Sequence, residues 1–222
     1  LVTALMNAAV AVFIYTLVPE FFMRFIVWML IHLLYRVRAR GLEQVPDEGP
    51  CVVVCNHVSF VDALIVGGSI RRPVRFVMYH KIFRLPLLGF IFRTARAIPI
   101  APKKEDEALM IRAFDEIDAA LAAGDVVGIF PEGAITRDGS IDQFRPGVER
   151  VLARRPVPVV PMALRGLWGS IFSRRDDFLR RARLPRRFRA QIELVAGPLV
   201  QPAQASAEYL EQQVRALRGD LA

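Results

Sequence analysis

Apolar residues run almost unbroken from Leu1 to Val18, with Thr3, Asn7, Tyr15 and Thr16 as the polar interruptions. Pro19-Glu20 breaks the run, and Phe21 to Tyr35 resumes it with Arg24 and His32 inside. The pattern then changes. Cys51 to Cys55 is a short run rich in β-branched residues that stops at Asn56, as a strand buried on both faces does. Val74 to Tyr79, Ala97 to Ala101, Val126 to Phe130 and Gln191 to Ala196 read as further strands. Lys81 to Phe92 is apolar with basic ends. From Asp106 to Ala123, apolar side chains recur at 109, 110, 113, 114, 117, 120 and 121, the spacing of an amphipathic helix, and Gly124 ends it. Val157 to Leu164 carries Pro158 and Pro161, which predicts an edge or irregular strand. Strands alternating with helices predict an α/β fold, a mostly parallel sheet flanked by helices.

The first 40 residues stand apart from this alternation. The first apolar run is just long enough to span a bilayer and the second is short for it. Three readings stay open: a helical hairpin dipping into one leaflet, the last spanning helix of an upstream membrane domain, or core helices of a soluble protein. Arg36, Arg38 and Arg40 follow, a cluster suited to the cytoplasmic side of a membrane. The turn-rich stretch Gly41 to Pro50 marks a boundary, giving a membrane-associated segment 1–40 and a second domain 41–222. A start at Leu1 rather than Met leads us to expect a processed chain or a piece of a longer one.

Charge sharpens the choice of partner. The formal net charge is +8 and the isoelectric point about 10.3, which calls for an acidic partner. Hydrophobic content of 54% and a mean hydropathy of +0.33 favour a membrane over a nucleic acid. Arg174 to Arg189 holds eight arginines interleaved with Phe178, Leu179, Leu184 and Phe188, a mixture that suits anionic headgroups. No helix-turn-helix, RNP-like or zinc-finger pattern accompanies them, so nucleic acid is not an expected partner. Cys51 and Cys55 share one strand, too close for a structural bridge and without the second ligand pair of a zinc site. Both are expected to be reduced core residues in a cytosolic compartment; no metal or cofactor is expected.

The candidate chemistry sits at two strand ends. His57 follows the Cys51–Cys55 run, and Asp62 comes five residues later where a helix opens. A carboxylate at that distance can fix one imidazole nitrogen and leave the other to take a proton. Phe130-Pro131-Glu132-Gly133 places a second carboxylate at the end of another buried strand, about 75 residues on. Rigid Pro131 and permissive Gly133 would aim Glu132 into the crevice above the sheet.

In this combination the chain resembles the glycerolipid acyltransferases of the lysophosphatidic acid acyltransferase type, over roughly Arg36 to Pro198. Asn56-His57-Val58-Ser59-Phe60-Val61-Asp62 resembles the family's first motif, Phe130-Pro131-Glu132-Gly133 its third and Val157-Pro158-Val159-Val160-Pro161 its fourth. The second is matched in part: Gly89-Phe90-Ile91-Phe92-Arg93 fits its start, but Ile100-Ala101-Pro102 stands where Ile-Asp-Arg would end. Ile135 replaces an Arg frequent in the third motif, and Arg137 keeps the next basic position. These departures look more like the domain that reacylates lysophosphatidylethanolamine behind a bacterial lysophospholipid transporter.

The resemblance implies acyl transfer from acyl-CoA or acyl carrier protein to the free hydroxyl of a lysophospholipid. It implies His57 as base, oriented by Asp62, and Glu132, Gly133, Arg93, Arg96 and Arg137 as the substrate-binding set. The absence of a Gly-x-Ser-x-Gly elbow argues against a serine acyl-enzyme, and Ser59 reads as a turn residue. The inner membrane, with the catalytic domain facing the cytoplasm, is the location implied, with a fused or associated transporter domain as partner. Two alternatives accompany this reading: a silent tethering domain of such a fusion, or an acyltransferase for another lipid acceptor.

Overall fold

The structure, a computed structural model, describes residues 2–17, 19–170 and 189–219. Seven strands form one sheet: β1 (Arg36–Arg40), β2 (Cys51–Cys55), β3 (Val74–Tyr79), β4 (Ile98–Ile100), β5 (Val126–Ile129), β6 (Val159–Arg165) and β7 (Gln191–Ala196). Their order is β1-β7-β6-β2-β5-β3-β4, and every pairing is parallel except β6 with β7. Helices α1 (Val2–Leu17), α2 (Pro19–Leu34), α3 (Asp62–Ser69), α4 (Pro86–Thr94), α5 (Glu107–Ala122), α6 (Gly147–Arg154) and α7 (Ala207–Arg218) complete it. The expected α/β class holds.

β2 lies in the middle of the sheet and all five of its residues are buried. Cys51, Val53 and Cys55 face one core with α2, α3 and α4, while Val52 and Val54 face a second core with α5, α6 and α7. That is why its sequence is continuously apolar instead of alternating. Each fully buried Val contributes about 1.5 kcal/mol or more. Both thiols are free and buried, and burial pushes Cys51 up to about 11 and Cys55 well above its ordinary value. They act as packing groups.

Three sequence expectations need correction. β6 is an interior strand between β7 and β2, despite its prolines. Pro161 lies opposite Gly197, just past the paired end of β7, and accepts from Gly197 N at 2.8 Å. Its missing N–H thus falls where the ladder ends. Arg36–Arg40 is likewise no flank outside the fold: it is the edge strand β1, paired with β7, so the boundary at Gly41 cuts through one sheet. Gly41 itself, at φ +72°, is pressed so close to Ala196 O that a Cβ would lie 2.3 Å from it. Finally, α2 is built into the first core through Val27 and Ile31, with Tyr35 just past its end. Its Arg24 donates to Ile70 O at 2.5 Å and Arg71 O at 3.0 Å, just beyond α3.

No helix among the described residues is long and apolar enough to cross a membrane. Val2, Leu5, Met6, Val10 and Phe13 of α1, and Phe25 and Leu33 of α2, are nonetheless exposed. The arginine-rich stretch from Arg174 lies outside the described residues except for Arg189, whose N–H donates to Leu34 O.

Candidate active site

The site forms because β2 and β5 are hydrogen-bonded neighbours running in the same direction. Their carboxyl ends therefore lie side by side, and each hands its next residues to the same place. His57 comes off β2 and Glu132 off β5.

Asp62 opens α3 and is wholly buried. Its Oδ2 accepts three N–H groups: His57 Nδ1 at 2.7 Å, Val58 N at 2.7 Å and Ser59 N at 2.9 Å. Burial pushes its carboxyl above the ordinary value, while the His57 bond and the two backbone bonds hold it down. Its place in the first turn of α3 also favours the charged form. With Nδ1 held in this way, Nε2 is the nitrogen left to accept a proton. Ser59 is buried and its Oγ accepts from Val61 N, the turn role expected of it. The imidazole lies on the Phe130 ring, centroids 4.3 Å apart and planes 16° apart, and Phe130 in turn stacks on Phe76 at 5.6 Å.

Glu132 does not project into the crevice as its motif suggested. It is 2% exposed, and both carboxylate oxygens are occupied by main-chain donors. Oε1 accepts from His57 N at 2.6 Å and Oε2 from Asp142 N at 2.9 Å. Burial pushes its pKa up to about 7 against those two bonds. It is an internal brace that ties three segments together. Gly133 follows it at φ +71°, a backbone state that favours glycine.

Two more ties position His57. Thr136 N donates to His57 O at 2.9 Å, which sets exposed Arg137 one residue from that link. Asn56, fully buried, donates to Leu164 O at 3.1 Å and accepts from Leu164 N at 2.8 Å, locking the end of β2 to β6. The sequence shows Asn56 within its motif but not this clamp, because the partner is 108 residues away.

The remaining predicted residues are not joined to this cluster. Arg93, near the end of α4, donates to Phe83 O at 2.7 Å. Arg96 sits in the left-handed region at φ 53°, two residues before the amino end of β4. His57 stands at a carboxyl end. Both arginines are exposed.

Comparison with known proteins bears on this arrangement. The family model described as Acyltransferase matches residues 36–165. The chain is 31% identical over 137 residues to the chloroplastic 1-acyl-sn-glycerol-3-phosphate acyltransferase BAT2 of Brassica napus, 61% of this chain and 39% of that protein. It is 32% identical over 143 residues to the 1-acyl-sn-glycerol-3-phosphate acyltransferase alpha of Homo sapiens, 61% of this chain and 49% of that one. The chain thus matches less than half the length of these two relatives. In fold it is similar to the crystal structure of the 1-acyl-sn-glycerophosphate (LPA) acyltransferase PlsC from Thermotoga maritima. That similarity has a TM-score of 0.71 at 21% identity and covers 90% of this chain and 78% of that one. The family match takes in more than half of the chain, from β1 through β6, with His57, Asp62 and Glu132 inside it. On that extent, this protein belongs to the acyltransferase family.

Proposed function

We propose that the chain is a lysophospholipid acyltransferase that moves a fatty acyl group from a thioester to a free glycerol hydroxyl. The observation that carries this is the 2.7 Å bond from buried Asp62 to His57 Nδ1, which leaves Nε2 as the base. His57 Nε2 takes the hydroxyl proton while the oxygen attacks the thioester carbonyl. A C–O bond forms, the C–S bond breaks, and the imidazolium returns the proton to the departing thiolate. Asp62 stabilises the imidazolium formed on the way. The thiolate belongs to coenzyme A or to acyl carrier protein.

The acyl chain has an apolar place to lie. A cavity between α2, α3 and α4, lined by Val27, Leu64, Ile91 and Phe92, reaches Phe76, whose ring supports Phe130 under His57. Membrane attachment draws support from the exposed apolar residues of α1 and α2 and from the basic charge of the chain. On this reading the chain works at the cytoplasmic face of an inner membrane, where a fused or associated transporter would deliver its lysophospholipid.

The test is product analysis. Protein with either donor and a panel of lysolipids should yield the diacyl lipid, and His57→Ala should lower turnover by about 10²–10⁴-fold without loss of fold. Near-normal turnover by folded His57→Ala would end the assignment.

A further inference from the structure

We propose that Arg145 is a phosphate ligand of this site, a role that rests on the acyl-transfer reading above. The segment Ile141 to Arg145 has no regular secondary structure, yet it is fixed at four positions. Arg215 donates to Ile141 O, Asp142 N donates to Glu132, Phe144 N donates to Glu211 Oε2 at 2.9 Å, and Arg145 N donates to Pro131 O at 2.9 Å. Three of these five residues are thereby tied to α7 or to the brace behind His57, and the Arg145 backbone is pinned beside Pro131-Glu132.

The guanidinium packs against Gly133. It lies on the bare Cα of Gly133, so that a Cβ there would come within 3.0 Å of its Cζ and Nε. Gly133 directly follows Glu132, whose Oε1 holds the His57 main chain. Many surface arginines of this protein are neutralised: Arg40 and Arg165 by Glu193, Arg154 by Asp115, Arg155 by Asp118. Arg145 has no ion pair among the described residues and is exposed. Asp142 and Glu149, three and four residues away, form no ion pair with it, and Glu132 has both oxygens committed to backbone N–H groups. A guanidinium without an ion pair, packed next to the Glu132 brace that holds the base, can offer the planar, bidentate contact a phosphate takes. The site also lacks a cation at Ile135, so a second source of positive charge has a function to serve.

Both substrates carry phosphate: the lysophospholipid has one next to the glycerol, and the donor has one on its pantetheine arm. Arg145 lies against Pro131 and Gly133, on either side of the Glu132 that holds the base, and the acceptor hydroxyl must come to that base, which favours the acceptor.

The experiment compares Arg145→Ala and Arg145→Lys with the parent. The readouts are KM for each substrate, thermal unfolding, and NMR titration with sn-glycerol 3-phosphate or with 4′-phosphopantetheine. Loss of a charge-assisted bidentate contact should raise the acceptor KM at least about tenfold in Arg145→Ala, leave the donor KM unchanged, and be partly restored in Arg145→Lys. Glycerol phosphate binding should weaken in parallel. A rise confined to the donor KM and to phosphopantetheine binding would move the same contact to the donor. Unchanged KM values and unchanged binding of both fragments by a folded Arg145→Ala protein would overturn the proposal. If the parent forms no diacyl lipid but glycerol phosphate binding still depends on Arg145, the acyl-transfer reading fails and the phosphate site stands.

Discussion

Glu132 and His57 are joined through the main chain of the base, not through its ring: Glu132 Oε1 lies 2.6 Å from His57 N. The acid that follows β5 therefore sets where His57 stands, and the acid that opens α3 sets how its ring is protonated. The two carboxylates divide positioning and chemistry between them.

A pH signature follows from the burial of Glu132. Its carboxyl is pushed from the ordinary 4.5 up to about 7 by burial, so between those values the folded protein keeps a proton that the unfolded chain has released. The stability due to this group is full below about 4.5 and is lost as pH rises through about 7, amounting to roughly 3 kcal/mol. Glu132→Gln cannot lose that proton. Denaturant unfolding should show it gaining on the parent by this order of magnitude between pH 5 and pH 8, on top of any constant offset. A constant difference across that range would mean the two backbone N–H bonds keep Glu132 charged throughout.

Removing the Asn56 clamp should damage the fold before the chemistry. Asn56→Ala leaves the Leu164 N–H and C=O without partners where β2 meets β6, and each buried unpaired group costs about 1–3 kcal/mol. Urea unfolding should show about 2–4 kcal/mol of destabilisation. Turnover per folded molecule should fall far less than in His57→Ala, because the ring and Asp62 are untouched.

What the sequence disclosed and what it hid divide along range. His57 and Asp62 were legible because one strand end and the following helix start bring them together within five residues. β2 was legible because burial on both faces leaves no polar position in it. The direction of Glu132 was not: it depends on the register that sets Val54 beside Ile129, and no local pattern carries that. β1 was hidden because an exposed edge strand written Arg-Val-Arg-Ala-Arg looks like a membrane flank. β6 was misjudged because proline marks an edge only when its absent N–H would lie inside the ladder. The fixing of residues 141–145 by Glu211 and Arg215 reaches across about 70 residues, and neither partner stands out in sequence.

Gly128 in β5 keeps space for the aromatic stack. A Cβ there would lie 2.5 Å from two carbons of the Phe76 ring and 2.9 Å from Val74 Cγ1. Phe76 would have to move, and with it Phe130 and the surface on which His57 rests. Gly128→Ala should cost about 1–3 kcal/mol and lower kcat. Adding Phe76→Leu should recover part of the lost stability by removing the ring that clashes, a coupling that a double-mutant cycle measures directly. Additive losses would mean that the strand shifts instead of the ring.

The acceptor preference follows from which cations remain near the base. The plant and human relatives are named for 1-acyl-sn-glycerol-3-phosphate, a phosphate monoester with close to two negative charges. In this chain Pro102 and Ile135 stand at two positions where the family resemblance leads one to expect polar or basic groups. Pro102, two residues past β4, spends its carbonyl on Glu105 N and Asp106 N, so it offers a phosphate nothing. Arg137 remains, exposed and one residue from the Thr136–His57 link, with Arg145 as the second cation proposed above. A diester such as lysophosphatidylethanolamine carries one phosphate charge and needs fewer partners. We therefore expect kcat/KM to favour a diester lysophospholipid over lysophosphatidic acid, and Arg137→Ala to raise the acceptor KM more than the donor KM. Ile135→Arg should shift the ratio toward lysophosphatidic acid by about tenfold, the worth of one added charged contact. Competition assays with both acceptors in one vesicle preparation read the ratio directly. A parent enzyme that prefers lysophosphatidic acid, with an acceptor KM indifferent to Arg137→Ala, would show that charge count at these positions does not set the choice.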